Sequence, residues 1–337
     1  MRKSIILFLS AVVLLSSCTR HQQKDKQEYI FHNDIVLKTT PVKDQGRSPL
    51  CWVYAMLATI ESDRLMLGDS VNLSPDYLAR LWLQKQARDY YLTMGQRKVS
   101  LRGMATTTLR LMGKYGIEPY DNFFTDKTVN YNAMAKTAMA VARASTSLKM
   151  LDTRLEDILD KQINYLPPTL FMLGMAYTPQ QFAQSICLPG DYVALTSFTH
   201  HPFDTSFVLE SPDNVLLDTY YNIPIDKLMA RIEYALRHGH AVCWEGDISE
   251  PGFNFDNGIA TTDGKAVTQQ SRQRALEHFQ TTDDHCMELC GLAHDGQGHK
   301  FFIAKNSLGK GNRYAGFMYL SYDYVKLKTI AVVLKSR

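Results

Sequence analysis

The residues that most clearly indicate chemistry lie between Gln45 and Cys51. The glutamine stands six residues before the cysteine, and a long, mostly apolar segment runs from Cys51 to Leu67. That segment predicts a buried helix with Cys51 in its first turn. Unpaired N–H groups at a helix N-terminus favour an anion and lower the pKa of a thiol there. Cys51 is therefore a candidate nucleophile, and Gln45 can offer its amide to a developing oxyanion.

Two polar residues much later in the chain can complete this chemistry. His285 opens one predicted strand and Asn306 closes the next, across a turn with the sequence Asp-Gly-Gln-Gly. Adjacent antiparallel strands can bring the two side chains together. An asparagine carbonyl that accepts from one ring nitrogen fixes the tautomer of His285 and leaves the other nitrogen for the thiol. The pattern predicts a Cys-His-Asn triad.

A buried cysteine in an apolar helix is more often a small hydrophobic residue than a nucleophile. Three features favour the nucleophile here. Cys51 lies at a helix start, a Gln45-Gly46 pair precedes it, and a histidine and an asparagine with suitable roles follow.

The first half of the chain is predicted to be mainly helical. Ser74-Pro75 is a favourable cap and first helical residue, and Thr178 to Gln181 form a capping-box pattern. Further helices are predicted at residues 101–115 and 132–163.

The second half is predicted to be rich in strands, with one amphipathic helix at residues 225–238 and a long polar surface loop at residues 250–284. The predicted strands are residues 192–198, 206–210, 215–219, 240–247, 285–294, 300–305, 314–320 and 328–335. A cleft between a helical lobe and a β-rich lobe is a usual place for a site.

The N-terminus has the features of a targeting segment. Arg2 and Lys3 precede an apolar run that is too short to span a bilayer, and the run ends in Leu-Ser-Ser-Cys. This resembles a bacterial lipoprotein signal, which implies removal of residues 1–17 and lipid attachment to Cys18. The absence of aspartate after Cys18 favours the outer membrane, on either of its faces. A plain secretory signal is the alternative.

Composition and charge point to an ordinary globular protein. The 337 residues are 45% hydrophobic and 21% charged, with a net charge of +3 that falls close to neutrality without Arg2 and Lys3. This gives no reason to expect nucleic acid as a partner.

The sequence resembles the papain-like cysteine peptidases, and most closely their bleomycin hydrolase and aminopeptidase C branch. The resemblance runs from about residue 35 to 337. It is carried by PVKDQGRSPLCWVYA, LMGKYGIEPYDNF, YNIPIDKLMARIEYALRHGHAVCWEGDIS, and the pair DDHCM and KNSLG. It implies Cys51 as nucleophile, His285 as general base and acid, Asn306 as the residue that orients the histidine, and Gln45 in the oxyanion hole.

The sequence departs from the family pattern at two positions. Leu50 replaces a small residue before the nucleophile, and Leu308 replaces the tryptophan that shields the histidine–asparagine hydrogen bond in the family. The smaller side chain is expected to expose that bond to water and to weaken activity. The C-terminal arm that restricts the branch to substrate N-termini is not recognised after residue 335, so endopeptidase action is slightly favoured.

Four further cysteines lie in the predicted domain. Cys286 and Cys290 are four residues apart on one strand, about 13 Å, which is too far for a disulfide. Cys286 is expected to point away from the face that carries His285. Pairing with Cys187 or Cys243 stays open.

The histidines at positions 200, 201, 238 and 240 lack the spacing of a metal site. They are expected to be exposed or structural, and no metal is predicted.

The predicted fold class is α+β, a papain-like cysteine proteinase fold with a helical lobe at residues 35–185 and a β-rich lobe at residues 186–337. Residues 18–34 are expected to be the lipidated cysteine and a polar tether. The predicted function is hydrolysis of peptide or protein substrates without a cofactor. The alternatives are a weak or inactive binding protein of this fold and acyl transfer on a non-peptide amide.

Overall fold

The computed structural model describes residues 29–125, 129–172 and 174–336. The described helices are α1 (Cys51–Met66), α2 (Pro75–Leu92), α3 (Ala105–Tyr115), α4 (Tyr131–Ala144), α5 (Leu148–Gln162), α6 (Pro179–Ile186), α7 (Ile225–Arg237), α8 (Gln269–Glu277) and α9 (Tyr322–Lys328). The described strands are β1 (Phe31–Val36), β2 (Leu170–Met172), β3 (Met175–Tyr177), β4 (Tyr192–Thr196), β5 (Thr205–Val208), β6 (Thr219–Asn222), β7 (Val242–Gly246), β8 (Phe253–Asn254), β9 (Ile259–Ala260), β10 (His285–Asp295), β11 (Lys300–Lys305), β12 (Phe317–Ser321) and β13 (Thr329–Lys335).

One large mixed sheet organises the second half of the chain. Within the described residues its strand order is β5-β6-β4-β13-β7-β10-β11-β12-β9-β8, and β1 pairs with β10. β10 runs antiparallel to β7 and to β11, which places His285 opposite Gly246 and brings the start of β10 close to the end of β11. The predicted α+β fold class is confirmed by this arrangement.

The first strand begins earlier than the predicted domain boundary. Residues 31–34, predicted to belong to a polar tether, are part of β1, and Phe31 pairs with Asp295. The Phe31 ring also stacks on Tyr319 at 3.8 Å between centroids. Because Phe31 packs on the sheet in this way, the folded domain begins at or before residue 31 and not at residue 35.

The central helix α1 is enclosed as predicted. Twelve of its sixteen residues are buried, including its apolar start at Trp52 and Val53. The helix packs against β10 and α3, and the Trp52 indole N–H donates to the Leu101 carbonyl at 2.9 Å. This packing fixes the position and direction of the helix start.

Buried polar contacts also hold α1 in place. Glu61 is fully buried and accepts from the Lys43 ammonium at 2.6 Å and from the Leu73 N–H at 2.7 Å. The hydroxyl of the next residue, Ser62, donates to the Glu288 carboxylate of β10. The helix is therefore fixed to the sheet by hydrogen bonds as well as by apolar packing.

The helix caps that the sequence predicts are present. Ser74 accepts from the Tyr77 N–H at 3.2 Å at the start of α2, and Thr178 and Gln181 form a capping box at α6. The predicted helix at residues 132–163 is wrong in one respect, because it breaks into α4 and α5. Ser147 caps the second of these helices, as serine favours caps over helix interiors.

The region at residues 250–284 is not a plain loop. It contains β8, β9 and α8, and α8 is held by a fully buried arginine rather than by an apolar stripe. The Arg272 guanidinium donates to the Ser197 carbonyl at 2.9 Å and lies 4.5 Å from the centre of the Phe198 ring. An arginine anchor gives no hydrophobic periodicity, which is why the sequence pattern did not predict the helix.

Two other local predictions need correction. The strand expected at residues 215–219 lies instead at Thr219–Asn222, because the chain turns at Leu217 with a φ of 55°. The short helix α9 was not predicted and separates β12 from β13.

None of the described helices combines the length and the apolarity that a membrane span requires. The predicted signal peptide and the lipidation site at Cys18 lie outside the described residues.

Candidate active site

Cys51 is the first residue of α1, as predicted. Leu50 is the N-cap residue and its side chain makes no capping hydrogen bond. Within the described part of the chain, no acceptor takes the Cys51 N–H. The free N–H groups of the first turn place partial positive charge around the thiol. Cys51 is 9% exposed, so its thiol is largely desolvated.

His285 and Asn306 meet at the shared end of β10 and β11. The His285 Nε2 lies 2.8 Å from the Asn306 Oδ1. The Asn306 oxygen also accepts from the Ser307 N–H at 2.7 Å, and the Asn306 amide nitrogen donates to the Met318 sulfur at 3.5 Å. Because the amide nitrogen has its own acceptor, the oxygen faces the histidine and takes its Nε2 proton. This leaves the Nδ1 of His285 for the thiol of Cys51.

The thiol and the imidazole shift each other's pKa. The pKa of the Cys51 thiol is well below its ordinary value, first because of a hydrogen bond with the Cys286 thiol, and also because of His285, while burial opposes the shift. Burial alone would lower the pKa of His285, but its contacts with Cys51 and Asn306 outweigh burial and raise it. These directions favour a thiolate–imidazolium pair.

Gln45 is held in a fixed orientation beside the helix start. Its amide oxygen accepts from the Ser307 hydroxyl at 2.6 Å, and its amide nitrogen donates to the Ser48 carbonyl at 2.7 Å. Its backbone N–H donates to the Ser307 carbonyl at 2.8 Å. The amide nitrogen has two hydrogens, so one remains for a further acceptor.

The two departures from the family pattern do not open the site. His285 is 5% exposed and Asn306 is 2% exposed, so their hydrogen bond is buried with Leu308 in place of tryptophan. Leu308 is half-buried and forms a β-bridge with Asp44, and Leu50 is fully buried. The expected exposure of the histidine–asparagine bond is not observed.

Cys286 is a neighbour of the site that sequence reasoning missed. Strand alternation predicted that it points away from the face of His285, yet its thiol and its backbone N–H both interact with the Cys51 thiol. The start of α1 lies against the start of β10 and contacts both His285 and Cys286. The signal that could have indicated this contact is the position of Cys286 directly after His285.

A cavity of about 480 Å³ lies beside the same strand end. Asp283 and Asp284 line it, and burial raises the pKa of Asp283 to about 7. Its other walls are mixed in character and include Arg102, Phe198, Leu209, Ser211, Phe279 and Ile330. The volume is in the range of ligand pockets, and it can take a side chain of a bound molecule.

Two histidines and a glutamate also come together at this cavity. The ring nitrogens of His200 and His201 and the Glu210 carboxylate lie within 4.8 Å of one another. However, the Gln273 amide nitrogen donates to the Nδ1 of His200 at 3.1 Å, while its oxygen accepts from the Thr199 N–H at 2.7 Å. The Nε2 of a neutral His200 then carries the proton and donates to Glu210, so it has no lone pair for a cation.

The five cysteines within the described ranges are all unpaired. Disulfides of Cys187 or Cys243 with Cys286 or Cys290, left open by the sequence, are therefore absent among these residues.

A solved structure has a similar fold over most of this chain. PepW from Lactobacillus rhamnosus HN001 matches with a TM-score of 0.70 and 18% identity, covering 90% of this chain and 82% of PepW. Digestive procathepsin L 3 from the larval midgut of Tenebrio molitor matches with a TM-score of 0.46 and 13% identity, over 89% of this chain and 68% of the other. The bromelain protease from Ananas comosus matches with a TM-score of 0.43 and 14% identity, over 89% and 94%.

At the level of sequence, no protein-family model matches the chain, and no curated protein matches it. The likeness is thus a likeness of structure, and the chain has the papain-like cysteine protease fold.

Proposed function

We propose that this chain is a cysteine peptidase that cleaves peptide bonds through an acyl-enzyme. The observation that carries the proposal is the contact of Cys51, at the start of α1, with His285, whose Nε2 lies 2.8 Å from the Asn306 Oδ1. The contact supports the roles of nucleophile for Cys51, of base for His285 and of orienting residue for Asn306.

In the proposed reaction the Cys51 thiolate attacks the carbonyl carbon of the scissile peptide bond. The oxygen gains negative charge and accepts from the Cys51 N–H and from the remaining hydrogen of the Gln45 amide. The imidazolium of His285 gives its proton to the leaving amine as the C–N bond breaks. His285 then takes a proton from water, which attacks the thioester and releases the acid and the thiolate.

The substrate we propose is a peptide or protein. The cavity of about 480 Å³ lined by Asp283 and Asp284 adjoins His285 and can hold a neighbouring side chain of that substrate. Endopeptidase action is a prediction from the sequence alone. It is tested with one peptide prepared with a free and with an acetylated N-terminus, since cleavage of only the free form would identify an aminopeptidase.

We also propose, from the sequence alone, that Cys18 carries a lipid and that the protein is anchored in the cell envelope. Nothing in the proposed chemistry depends on this anchor.

The first experiment is iodoacetamide alkylation of Cys51 across pH, read by mass spectrometry. We expect fast labelling well below pH 8, because the thiolate is stabilised by its neighbours, and loss of this labelling in His285→Ala. Cys187 is an internal control, because burial raises the pKa of its thiol to about 11 and it should react slowly in the same sample.

Substrate cleavage separates the peptidase from a binding protein of the same fold. Fast labelling together with cleavage of a peptide library supports the peptidase. Labelling of Cys51 that is no faster than that of Cys187 would contradict the proposed thiolate and favour the binding protein.

A further inference from the structure

The proposed nucleophile has a second thiol beside it. Cys286 directly follows His285 on β10 and shares its strand face with Glu288, which accepts from the Ser62 hydroxyl of α1, so this face packs against the helix that begins at Cys51. The thiol and the backbone N–H of Cys286 interact with the Cys51 thiol. Cys286 is 3% exposed and belongs to the same apolar cluster as Cys51. Acyl transfer needs one thiol, so the reaction proposed above gives no role to the second sulfur.

The pKa values of the two thiols are shifted in opposite directions. The contact with Cys51 and burial both raise the pKa of Cys286 well above its ordinary value, while the same contact and His285 lower the pKa of Cys51. A lowered pKa favours the thiolate of Cys51, which is the form that a peroxide oxidises, and a neighbouring sulfur can then attack the oxidised one.

The other described cysteines are less well placed for this reaction. Cys290 donates from its sulfur to the Ile303 carbonyl at 3.6 Å and belongs to a different apolar cluster. Cys243 lies opposite Glu288 in the pairing of β7 with β10, two residues further along β10 from His285 than Cys286 is. Cys286 is therefore the partner that the contacts select.

We propose that Cys51 and Cys286 are a modification site, at which a hydroperoxide converts the two free thiols to a reversible disulfide that blocks the peptidase site. The site is formed by the first residue of α1 and the second residue of β10. The inference rests on the proposed function only for the effect of the disulfide on peptide hydrolysis.

Hydrogen peroxide oxidises the two thiols to a disulfide in two steps. The Cys51 thiolate attacks one oxygen of hydrogen peroxide, the O–O bond breaks, and a Cys51 sulfenic acid and hydroxide form. The sulfur of Cys286 then attacks the Cys51 sulfur, the S–O bond breaks, and the proton of Cys286 leaves with the hydroxyl group as water. Two electrons pass from the two thiols to the peroxide, and a dithiol such as dithiothreitol returns them by exchange.

A consequence of this pairing is protection of the nucleophile. A sulfenic acid without a neighbouring thiol is oxidised further to sulfinic acid, which dithiols do not reduce. With Cys286 in contact, the sulfenic acid is trapped before that step.

The test treats the whole chain with hydrogen peroxide, blocks the remaining thiols under denaturing conditions, and maps the digested peptides by mass spectrometry. We expect a cross-linked peptide pair that contains Cys51 and Cys286. We also expect at least about a tenfold loss of Cys51 alkylation that dithiothreitol restores. In Cys286→Ala we expect sulfinic acid at Cys51 that dithiothreitol does not restore. Cys290→Ala and Cys243→Ala are the matched controls and should retain the cross-link.

Two results would overturn the inference. One is a wild-type chain in which peroxide gives sulfinic acid at Cys51 and no cross-link to Cys286. The other is a cross-link from Cys51 to Cys243 in place of Cys286. Both are read on the wild-type chain, so a variant that fails to fold does not affect the decision.

The readout by mass separates this inference from the proposed function. A reversible cross-link in a protein that hydrolyses no peptide supports the modification site and contradicts the peptidase. Peptide hydrolysis in a protein that forms no cross-link does the reverse.

Discussion

The side-chain amide of Gln45 is oriented before any substrate arrives. Its oxygen is held by the Ser307 hydroxyl and its nitrogen by the Ser48 carbonyl. Since Ser307 follows Asn306 in the chain, one short segment orients both the amide of Gln45 and, through Asn306, the imidazole of His285. Donors fixed in this way lose little freedom in the transition state.

Gln45→Ala is expected to lower kcat by about 10²–10³ with a change in KM of only a few fold, because an oxyanion donor acts mainly in the transition state. Ser307→Ala is the matched control, since it keeps the donor and loses only its orientation, and should lower kcat by about tenfold. Steady-state kinetics on a fluorogenic peptide, with intact sites counted by alkylation, measure both. A Gln45→Ala variant with unchanged kcat and raised KM would place Gln45 in substrate binding instead.

The residues that sequence reasoning could and could not find differ in one physical respect. Gln45 and Cys51 are close in the chain, so a local pattern predicts that they are neighbours. Cys286 contacts Cys51 because a helix start approaches the end of a strand, and alternation along the strand does not describe that geometry. The grouping of His200, His201 and Glu210 was missed in the same way, because it arises where the chain folds back.

At the scale of elements, the junction of α3 and α6 leaves no space for a side chain. Gly116 ends α3 with a φ of 84°, and the Ile117 N–H donates to the Pro179 carbonyl at 3.1 Å. A Cβ at Gly116 would lie 2.1 Å from the backbone carbon of Pro179. The two helices can approach this closely only with glycine there.

Gly116→Ala is expected to lower the free energy of unfolding by roughly 2–4 kcal/mol, from left-handed strain and from the clash with α6. Gly113→Ala lies within α3, where a Cβ meets nothing within 4 Å, and it should stabilise the protein by roughly 0.5–1 kcal/mol. Urea unfolding followed by circular dichroism measures both changes. A Gly116→Ala variant as stable as the wild type would mean that α6 moves away without cost.

Elements were predictable where a local signal existed. The caps at Ser74 and Thr178 predicted two helix starts correctly, and the apolar run after Cys51 predicted α1. The helix α8 has an arginine, Arg272, where an apolar anchor would be expected, and so gave no such signal. The fold class was still predicted correctly, because the hydrophobic pattern that indicates it lies mostly in the core strands and in α1.

At the scale of the whole molecule, one buried carboxyl links folding to pH. Glu118 is fully buried, and burial raises its pKa to about 7 from an ordinary value of 4.5. No ion pair within the described ranges involves it. Between these two values the folded chain keeps a proton that the unfolded chain releases, so stability falls as the pH rises from about 4.5 to 7.

Glu118→Gln is expected to remove this fall, because glutamine does not titrate. Relative to the variant, the wild type should lose roughly 1–3 kcal/mol of unfolding free energy across that pH window. Chemical denaturation of both proteins at a series of pH values gives the comparison. Parallel curves for the two proteins would show that Glu118 is solvated or compensated in the folded state.

The order of the functional residues along the chain has a consequence for biosynthesis. Cys51 begins α1, the first described helix, while β11, the strand that ends before Asn306, follows all the described helices except α9. A nascent chain that has not yet released β10 and β11 from the ribosome has a cysteine but no histidine beside it. For the peptidase proposed above, catalytic competence would thus arise only after β10 and β11 have been made, and a partly made domain would not hydrolyse peptides.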